Sequence, residues 1–420
     1  MIVQLSVFAL IVLIVGYFCK VVFSKDRALI FHPLTIISMV YVYYCIVPYY
    51  TGGNERYHVD AKTNLALFHV GALLSYICLL FASTRKINVS FSHWNNCFKL
   101  KRMEWAAILC FALAFVGYSS FRGVHFSIFA EDNELNLVHN DIEHYFLELL
   151  YLYEAAFSLF LMRGKVKGMK WWYIPLMLYI VISFIFAGTR ARLVVMIASA
   201  ITVYYLWPCP RRVNYVYAIV LATGVFLGFS IMDKTRQYSK GLNREALNEI
   251  SYNDIKGGAD ENYSVYWFSA VTMDYCQREH DYVYFEPILN ALLSPIPRSV
   301  FPWKPDGRYL MRSQIKIIGT ADHGAIFLYF TEGFFSFGWL GVILWPLLLG
   351  WFVNLFWTNY RAHSTSPGAI LALALFNGYC YNTISRGYLA TNLINYVYLI
   401  CLPFWLYMIM QKWNKTKIKI

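Results

Sequence analysis

Long apolar runs alternate with short polar junctions along most of the 420-residue chain. A run of roughly 20 apolar residues is long enough to cross the hydrocarbon core of a bilayer as a helix. About eleven runs have that length. They lie near 2–23, 28–50, 63–83, 104–121, 141–162, 171–187, 191–207, 213–232, 337–358, 367–385 and 388–410. The first, from Ile2 to Phe18, has no basic residue before it and no small-residue cleavage site after it. It reads as a retained helix, not a signal peptide. One long hydrophilic segment interrupts the series. The pattern therefore predicts transmembrane helices over 1–232, a folded loop over 233–324 with an aromatic-rich helix at Tyr263–Tyr275 and a shorter one at Phe285–Leu293, and further transmembrane helices over 325–420. The expected fold class is all-α, a polytopic membrane protein.

Composition supports this reading. Hydrophobic residues make up 59% of the chain, charged residues 14%, and the mean hydropathy is +0.46. A soluble domain carries roughly 25% charged residues, so this chain cannot coat itself for water. Disorder is excluded because disordered chains are polar and poor in aromatics, and here aromatics reach 19%. The 9 cysteines are scattered singly, without CxxC spacing, so no disulfide scaffold is expected. No HExxH, DxD, Walker loop or dinucleotide fingerprint occurs. No metal and no cofactor are expected, and the energy of any reaction has to come from the substrate.

Charge gives the sidedness. Short loops rich in Lys and Arg stay in the cytoplasm. Lys20/Lys25/Arg27, Arg85/Lys86/Lys99/Lys101/Arg102, Arg163/Lys165/Lys167/Lys170, Arg211/Arg212, Arg361 and Lys412/Lys415/Lys417/Lys419 fall at every second junction. The alternate junctions are neutral or acidic, as in Glu131-Asp132-Asn133-Glu134. One orientation satisfies nearly the whole chain: N-terminus outside, C-terminus inside, and the 233–324 loop outside. The net charge of +12 then faces an anionic inner leaflet and calls for no nucleic-acid partner.

Two outer junctions run against this rule, Gly188-Thr189-Arg190-Ala191-Arg192 and Ser385-Arg386. Snorkelling to outer headgroups is the bland account of such arginines. Ionisable groups at membrane depth are by default functional. With Arg298, Lys304, Arg308 and Arg312 from the long loop they form an outer cationic set. Arginine's planar fork suits phosphate. A lipid-linked sugar pyrophosphate holds its phosphates at that depth, its tail in lipid and its glycan in water. Fixed cations can stabilise the pyrophosphate as it leaves, without a metal. An acceptor hydroxyl also needs a base within hydrogen-bond reach, for which Asp322, His323, Glu332 and His280 are the outer candidates. Glu332 sits in the apolar stretch Phe327–Phe335, where desolvation raises a carboxyl's pKa unless a cation pairs with it. A structural Arg–Glu pair and a general base are both open there.

The order of these elements resembles a family. A Gly-Thr-Arg-Ala-Arg turn is followed by an outer loop ending in IPRSVFPWKPDG, then by TEGFFSFGWLGVILWPLLLG. This is similar to the O-antigen polymerases of the Wzy type, which join oligosaccharide repeat units. Gly188, Thr189 and Arg190 match its first motif. Pro297, Arg298, Phe301, Pro302, Lys304 and Pro305 match the second, and Glu332, Phe337, Gly338 and Gly341 the third. Ser336 stands where the family usually has Asn. The resemblance covers roughly residues 180–350.

The resemblance implies a glycosyltransferase-C-like membrane enzyme of the bacterial inner membrane, with its active site facing the periplasm and its large outer loop helical. It would move a growing glycan from undecaprenyl pyrophosphate to a lipid-linked repeat-unit acceptor. The transfer would be metal-independent and inverting. Arg190, Arg298 and Arg386 would bind pyrophosphate, assisted by Lys304, Arg192 and Arg308, with Glu332 or His323 as base and Arg298 also catalytic. Partners would be the undecaprenyl pyrophosphate-linked oligosaccharide, membrane lipids and a chain-length regulator protein. O-antigen ligase, which differs mainly in its acceptor, and a lipid-linked oligosaccharide flippase or transporter are the alternatives. The sidedness has a direct check. A fluorescent protein fused after Ile420 should fluoresce, and alkaline phosphatase inserted within 249–259 should be active; the reverse pattern would invert the orientation.

Overall fold

The computed structural model describes residues 1–51, 63–85, 91–129, 146–188, 190–237, 241–248, 260–293, 296, 300–301, 303, 309–319 and 326–416. A helix lies on every apolar run. Among the described residues six helices are long and apolar enough to cross a membrane: Ile2–Phe23, Pro33–Thr51, Leu65–Ser83, Leu100–Ser120, Trp339–Ala362 and Leu389–Lys412. The chain is an all-α membrane protein, and this count falls short of the eleven spans expected. Helices Tyr151–Lys167 and Arg190–Leu206 have 17 residues each and Tyr173–Phe186 has 14, at or below the lower limit of roughly 17 for a span. Helix Pro367–Ser385 is long enough but carries Asn377, Asn382, Thr383 and Ser385, all buried. The run expected to start near 141 is regular helix over Tyr151–Lys167. Lys165 and Lys167 therefore lie in its last turn, where they favour the negative end of the helix dipole.

The chain packs as two units. The first takes Met1–Val89, Ala259–Thr358 and Cys380–Ile394. Within it Ile2–Phe23 packs on Leu65–Ser83. Helices Pro33–Thr51 and Leu65–Ser83 are joined by two hydroxyl pairs, Ser38 Oγ to Tyr76 Oη and Tyr41 Oη to Ser75 Oγ, each 2.7 Å. Between apolar helices such bonds add specificity that burial alone does not supply. Gly350 lies where a Cβ would stand 3.0 Å from the Leu79 carbonyl oxygen. One turn on, Asn354 Nδ2 donates to the carbonyls of Ala82, at 3.0 Å, and Arg85. These are orphan acceptors at the C-terminal end of Leu65–Ser83.

Helix Asp260–Glu279 comes from the segment expected as an outer loop. It packs along Leu65–Ser83, the π-turn Val42–Ile46 and helix Tyr329–Phe337. Its face is aromatic. Tyr266 meets Phe68 at 4.9 Å between ring centroids and bonds His69 Nε2 at 3.1 Å. Ser269 Oγ accepts the Leu328 N–H at 2.9 Å.

The second unit takes Ser90–Gly258, Asn359–Tyr379 and Asn395–Ile420. Helix Tyr151–Lys167 packs against Leu100–Arg122, Arg190–Leu206 and the π-turn Val397–Cys401. Asn95 and Asn359 exchange reciprocal amide bonds at 3.0 Å. Trp94 stacks on Phe404, and the Lys99 N–H donates to Tyr407 Oη. The short antiparallel pair Arg236–Gln237 and Gly241–Leu242 is the one sheet among the described residues. The division at 233 and 324 concerned membrane sidedness, on which these packing units are silent.

Asn354→Leu should destabilise the first unit by about 1–3 kcal/mol, because two buried carbonyls lose their donor. Thermal unfolding in detergent would show it. An unchanged midpoint would mean that those carbonyls are satisfied elsewhere.

Candidate functional site

The TEGFFSFGWLG stretch folds as helix Tyr329–Phe337, a turn at Gly338, and helix Trp339–Ala362. Gly338 has φ +59°, a left-handed conformation that glycine adopts without a Cβ penalty. Across the turn Gly333 and Gly341 touch backbone to backbone. A Cβ on Gly341 would overlap the Gly333 carbonyl, and one on Gly333 would overlap that of Gly341. The close approach draws the short helix inward, and every residue from Tyr329 to Ser336 is buried. Ser336, in the place of the family's Asn, donates its hydroxyl to the Glu332 carbonyl at 2.8 Å. It thus serves its own helix.

A third glycine brings the partner segment in. The Gly387 N–H donates to the Phe327 carbonyl at 2.7 Å, and a Cβ there would stand 2.7 Å from the Leu328 carbonyl oxygen. Only glycine permits this approach. It carries the start of helix Leu389–Lys412 onto Glu332, so that the Leu389 N–H reaches both carboxylate oxygens at 3.0 Å. That N–H belongs to the first turn of a helix, where donors lack intrahelical partners and the dipole favours an anion. From helix Tyr309–Ile318 the Tyr309 hydroxyl makes a short bond to Glu332 Oε1.

Glu332 is wholly buried, and among the described residues no cation pairs with it. Burial pushes its pKa up to about 7, against the opposing pull of the Tyr309 hydroxyl and the Leu389 N–H. Desolvation wins because two donors replace only part of the lost hydration. Tyr309 is pushed upward, first by burial and then by the carboxylate's charge, so it remains a phenol and a donor. The group can take up and release a proton near neutrality, as a general base must. Of the two readings left open by sequence, the Arg–Glu pair is not formed among the described residues.

Arg386 lies in the same turn, three residues before Leu389. Its N–H donates to the Asn382 carbonyl and its carbonyl accepts from Asn392 Nδ2, at 3.0 and 2.9 Å. Its backbone is thus fixed close to Glu332. Arg298, Lys304, Arg308 and His323 lie outside the described residues, as does Asp322. His280 is left-handed, with φ +53°.

Arg190 and Arg192 belong to the second unit. Gly188, at φ +69°, makes the turn, and both arginines fall in the first turn of Arg190–Leu206. Cations there oppose the helix dipole. Arg192 is compensated. Its Nη2 lies 3.4 Å from Glu148 Oε2, and its guanidinium stands 4.8 Å from the Tyr151 ring centroid. Glu154 is fully buried within electrostatic reach of Arg192, and among the described residues neither carboxylate oxygen has a hydrogen-bond partner. Sequence reading passed over Glu154, though a lone carboxylate inside the apolar run Leu149–Leu161 was the signal that marks it. Tyr309 carried no such signal, being one of 34 tyrosines.

The chain matches no protein-family model, no curated protein and no solved structure.

The raised pKa of Glu332 predicts a pH-dependent stability. Below about pH 4.5 the carboxyl is protonated in both folded and unfolded chains and costs nothing. Between 4.5 and about 7 the unfolded chain ionises first, the folded chain holds the extra proton, and stability falls as pH rises. The loss levels off above about 7, at on the order of 3 kcal/mol in all. Comparing wild type with Glu332→Gln by thermal unfolding across pH 4.5–8 isolates this contribution. Equal slopes for both proteins would rule it out.

Proposed function

We propose that the chain is a polymerase of lipid-linked oligosaccharide repeat units, working in the bacterial inner membrane with its site toward the periplasm. One observation carries the reading: a buried carboxyl poised near neutrality, clamped by the Tyr309 hydroxyl and by the Leu389 N–H, the latter three residues after Arg386. The Gly-Thr-Arg and Glu-to-Gly motifs and the hydropathy-based orientation support it.

In the proposed reaction an acceptor sugar hydroxyl attacks the anomeric carbon of the undecaprenyl pyrophosphate-linked glycan. The new C–O bond forms as the bond from that carbon to the pyrophosphate oxygen breaks. The hydroxyl proton passes to Glu332, through the Tyr309 phenol. The pyrophosphate leaves with the bonding electron pair and is stabilised by guanidinium groups. Attack on the face opposite the leaving group inverts the anomeric centre. Arg298 and Arg386 are the proposed anion ligands, with Lys304 and Arg308 assisting. Fixed cations of this kind typically contribute a few kcal/mol each to a transition state, and a positioned base about 10²–10⁴-fold in rate.

Purified protein given lipid-linked repeat unit should lengthen the glycan, and EDTA should leave the rate unchanged. Glu332→Gln should reduce the rate by about 10²-fold or more, and Arg298→Ala should abolish growth with expression intact. Loss of growth on chelation would remove the metal-free mechanism. Full activity of the Glu332 variant would remove the base. Transfer to lipid A–core in place of a second repeat unit would identify a ligase, and transport without lengthening a flippase.

A further inference from the structure

The short helix Glu286–Leu293 of the first unit packs with its apolar side outward. Asn290 is buried, at 3% exposure, as are Pro287 and Ala291. Leu289 and Leu292 are 47% and 64% exposed. Phe285, 62% exposed, extends the same stripe one turn earlier, because the Leu289 N–H donates to its carbonyl at 2.9 Å. Positions 285, 289 and 292 follow the i, i+4, i+7 spacing of one helix face. A helix beside water buries that stripe and turns its polar residues out. This one does the opposite.

The entry to the helix is fixed. The Val283 N–H donates to the Phe335 carbonyl at 3.0 Å, and the Val283 carbonyl accepts from the Glu286 N–H at 3.0 Å. Tyr284 lies between, at φ +46°. A bulky residue takes left-handed backbone only where its surroundings over-determine it, and such strain collects at functional positions. The Phe285 ring packs edge-on against Phe337, with centroids 5.0 Å apart. Phe337 immediately precedes the Gly338 turn and helix Trp339–Ala362, which is long and apolar enough to cross a membrane. That helix exposes Leu340, Leu344 and Leu348, a single stripe that meets lipid when the helix spans. The two exposed apolar surfaces join at the contact of Phe285 with Phe337.

Continuous exposed apolar surface marks an interaction or membrane site. A helix with one apolar face lies in the bilayer interface when that face can reach the boundary between headgroups and acyl chains. We propose that Phe285–Leu293 is an interfacial helix, docked in the leaflet at the Gly338 end of Trp339–Ala362, with Phe285, Leu289 and Leu292 among phospholipid acyl chains. The occupant of this surface is phospholipid, because the surface continues the lipid-facing stripe of a span. The hydrogen bond from Val283 to Phe335 then holds the Glu332 helix at headgroup depth. The docking rests on the packing alone and does not depend on the polymerase reading.

The test uses purified full-length protein in phospholipid nanodiscs. The photo-crosslinking residue p-benzoylphenylalanine is placed at Leu292 and, separately, at Phe285, and the products of illumination are identified by mass spectrometry. Phospholipid adducts should dominate at both positions. In a second measurement, Leu289→Asp/Leu292→Asp should speed hydrogen exchange of the 286–293 amides about tenfold or more, as a helix expelled from the interface opens more often. Exchange over Leu65–Ser83 should stay unchanged and reports that the fold is intact; the crosslinking result stands apart from that variant. For a face that meets water the same aspartates would leave exchange unaltered. Absence of lipid adducts, adducts to a second copy of the chain in their place, or unaltered exchange in the double variant would overturn the docking. Glycan lengthening is not read in either measurement, so the outcome leaves the polymerase reading where it stands.

Discussion

A carboxyl group without a countercharge among its described neighbours governs the first unit. Burying an ionised carboxylate costs several kcal/mol even after relaxation, and the protein offsets this with two donors, a phenol and a helix-terminal N–H. Supplying them takes three separate segments. The short helix Tyr329–Phe337 must sit flush against Trp339–Ala362, which Gly333 and Gly341 allow. The Arg386–Leu389 turn must press on Leu328, which Gly387 allows. Tyr309 must arrive from a helix 23 residues upstream. Each glycine is a place where a side chain would separate backbones that have to touch.

The second unit treats one buried carboxylate, Glu148, differently. Glu148 is met by Arg192, whose guanidinium also lies near the Tyr151 ring. A buried ion pair of this kind roughly breaks even in stability, while loss of one partner costs several kcal/mol. It fixes the start of Arg190–Leu206 where the helix dipole would otherwise repel the cation. The contrast with Glu332 is chemical. The carboxylate paired with Arg192 holds structure, whereas Glu332 can exchange its proton near neutral pH.

Much of the helical frame was legible. Apolar length alone located helices such as Ile2–Phe23, Leu65–Ser83 and Pro367–Ser385, because a membrane demands internally bonded backbone wherever it is crossed. Hydropathy is a poorer guide where a helix is buried by protein instead of lipid. The aromatic stretch Tyr263–Tyr275 was legible as helix and lies within Asp260–Glu279, but its packing of Tyr266 and Ser269 on Phe68 and Leu328 was not. Similarly, Asn377 and Asn382 lower the apolar signal of a helix that is nonetheless buried.

Glu332 was visible as a carboxylate in an apolar stretch, and the glycines around it were visible as a motif. Their meaning was not. Sequence by itself determined the all-α membrane class, the positions of the helices and the residue with an anomalous charge, since these depend on composition and short-range periodicity. Only tertiary structure decided that Glu332 meets a phenol and an N–H, that Arg192 is held by Glu148, and that helix Glu286–Leu293 exposes Leu289 and Leu292 while burying Asn290. Contacts between residues tens to hundreds of positions apart are set by which backbones can approach, and linear spacing carries no record of that.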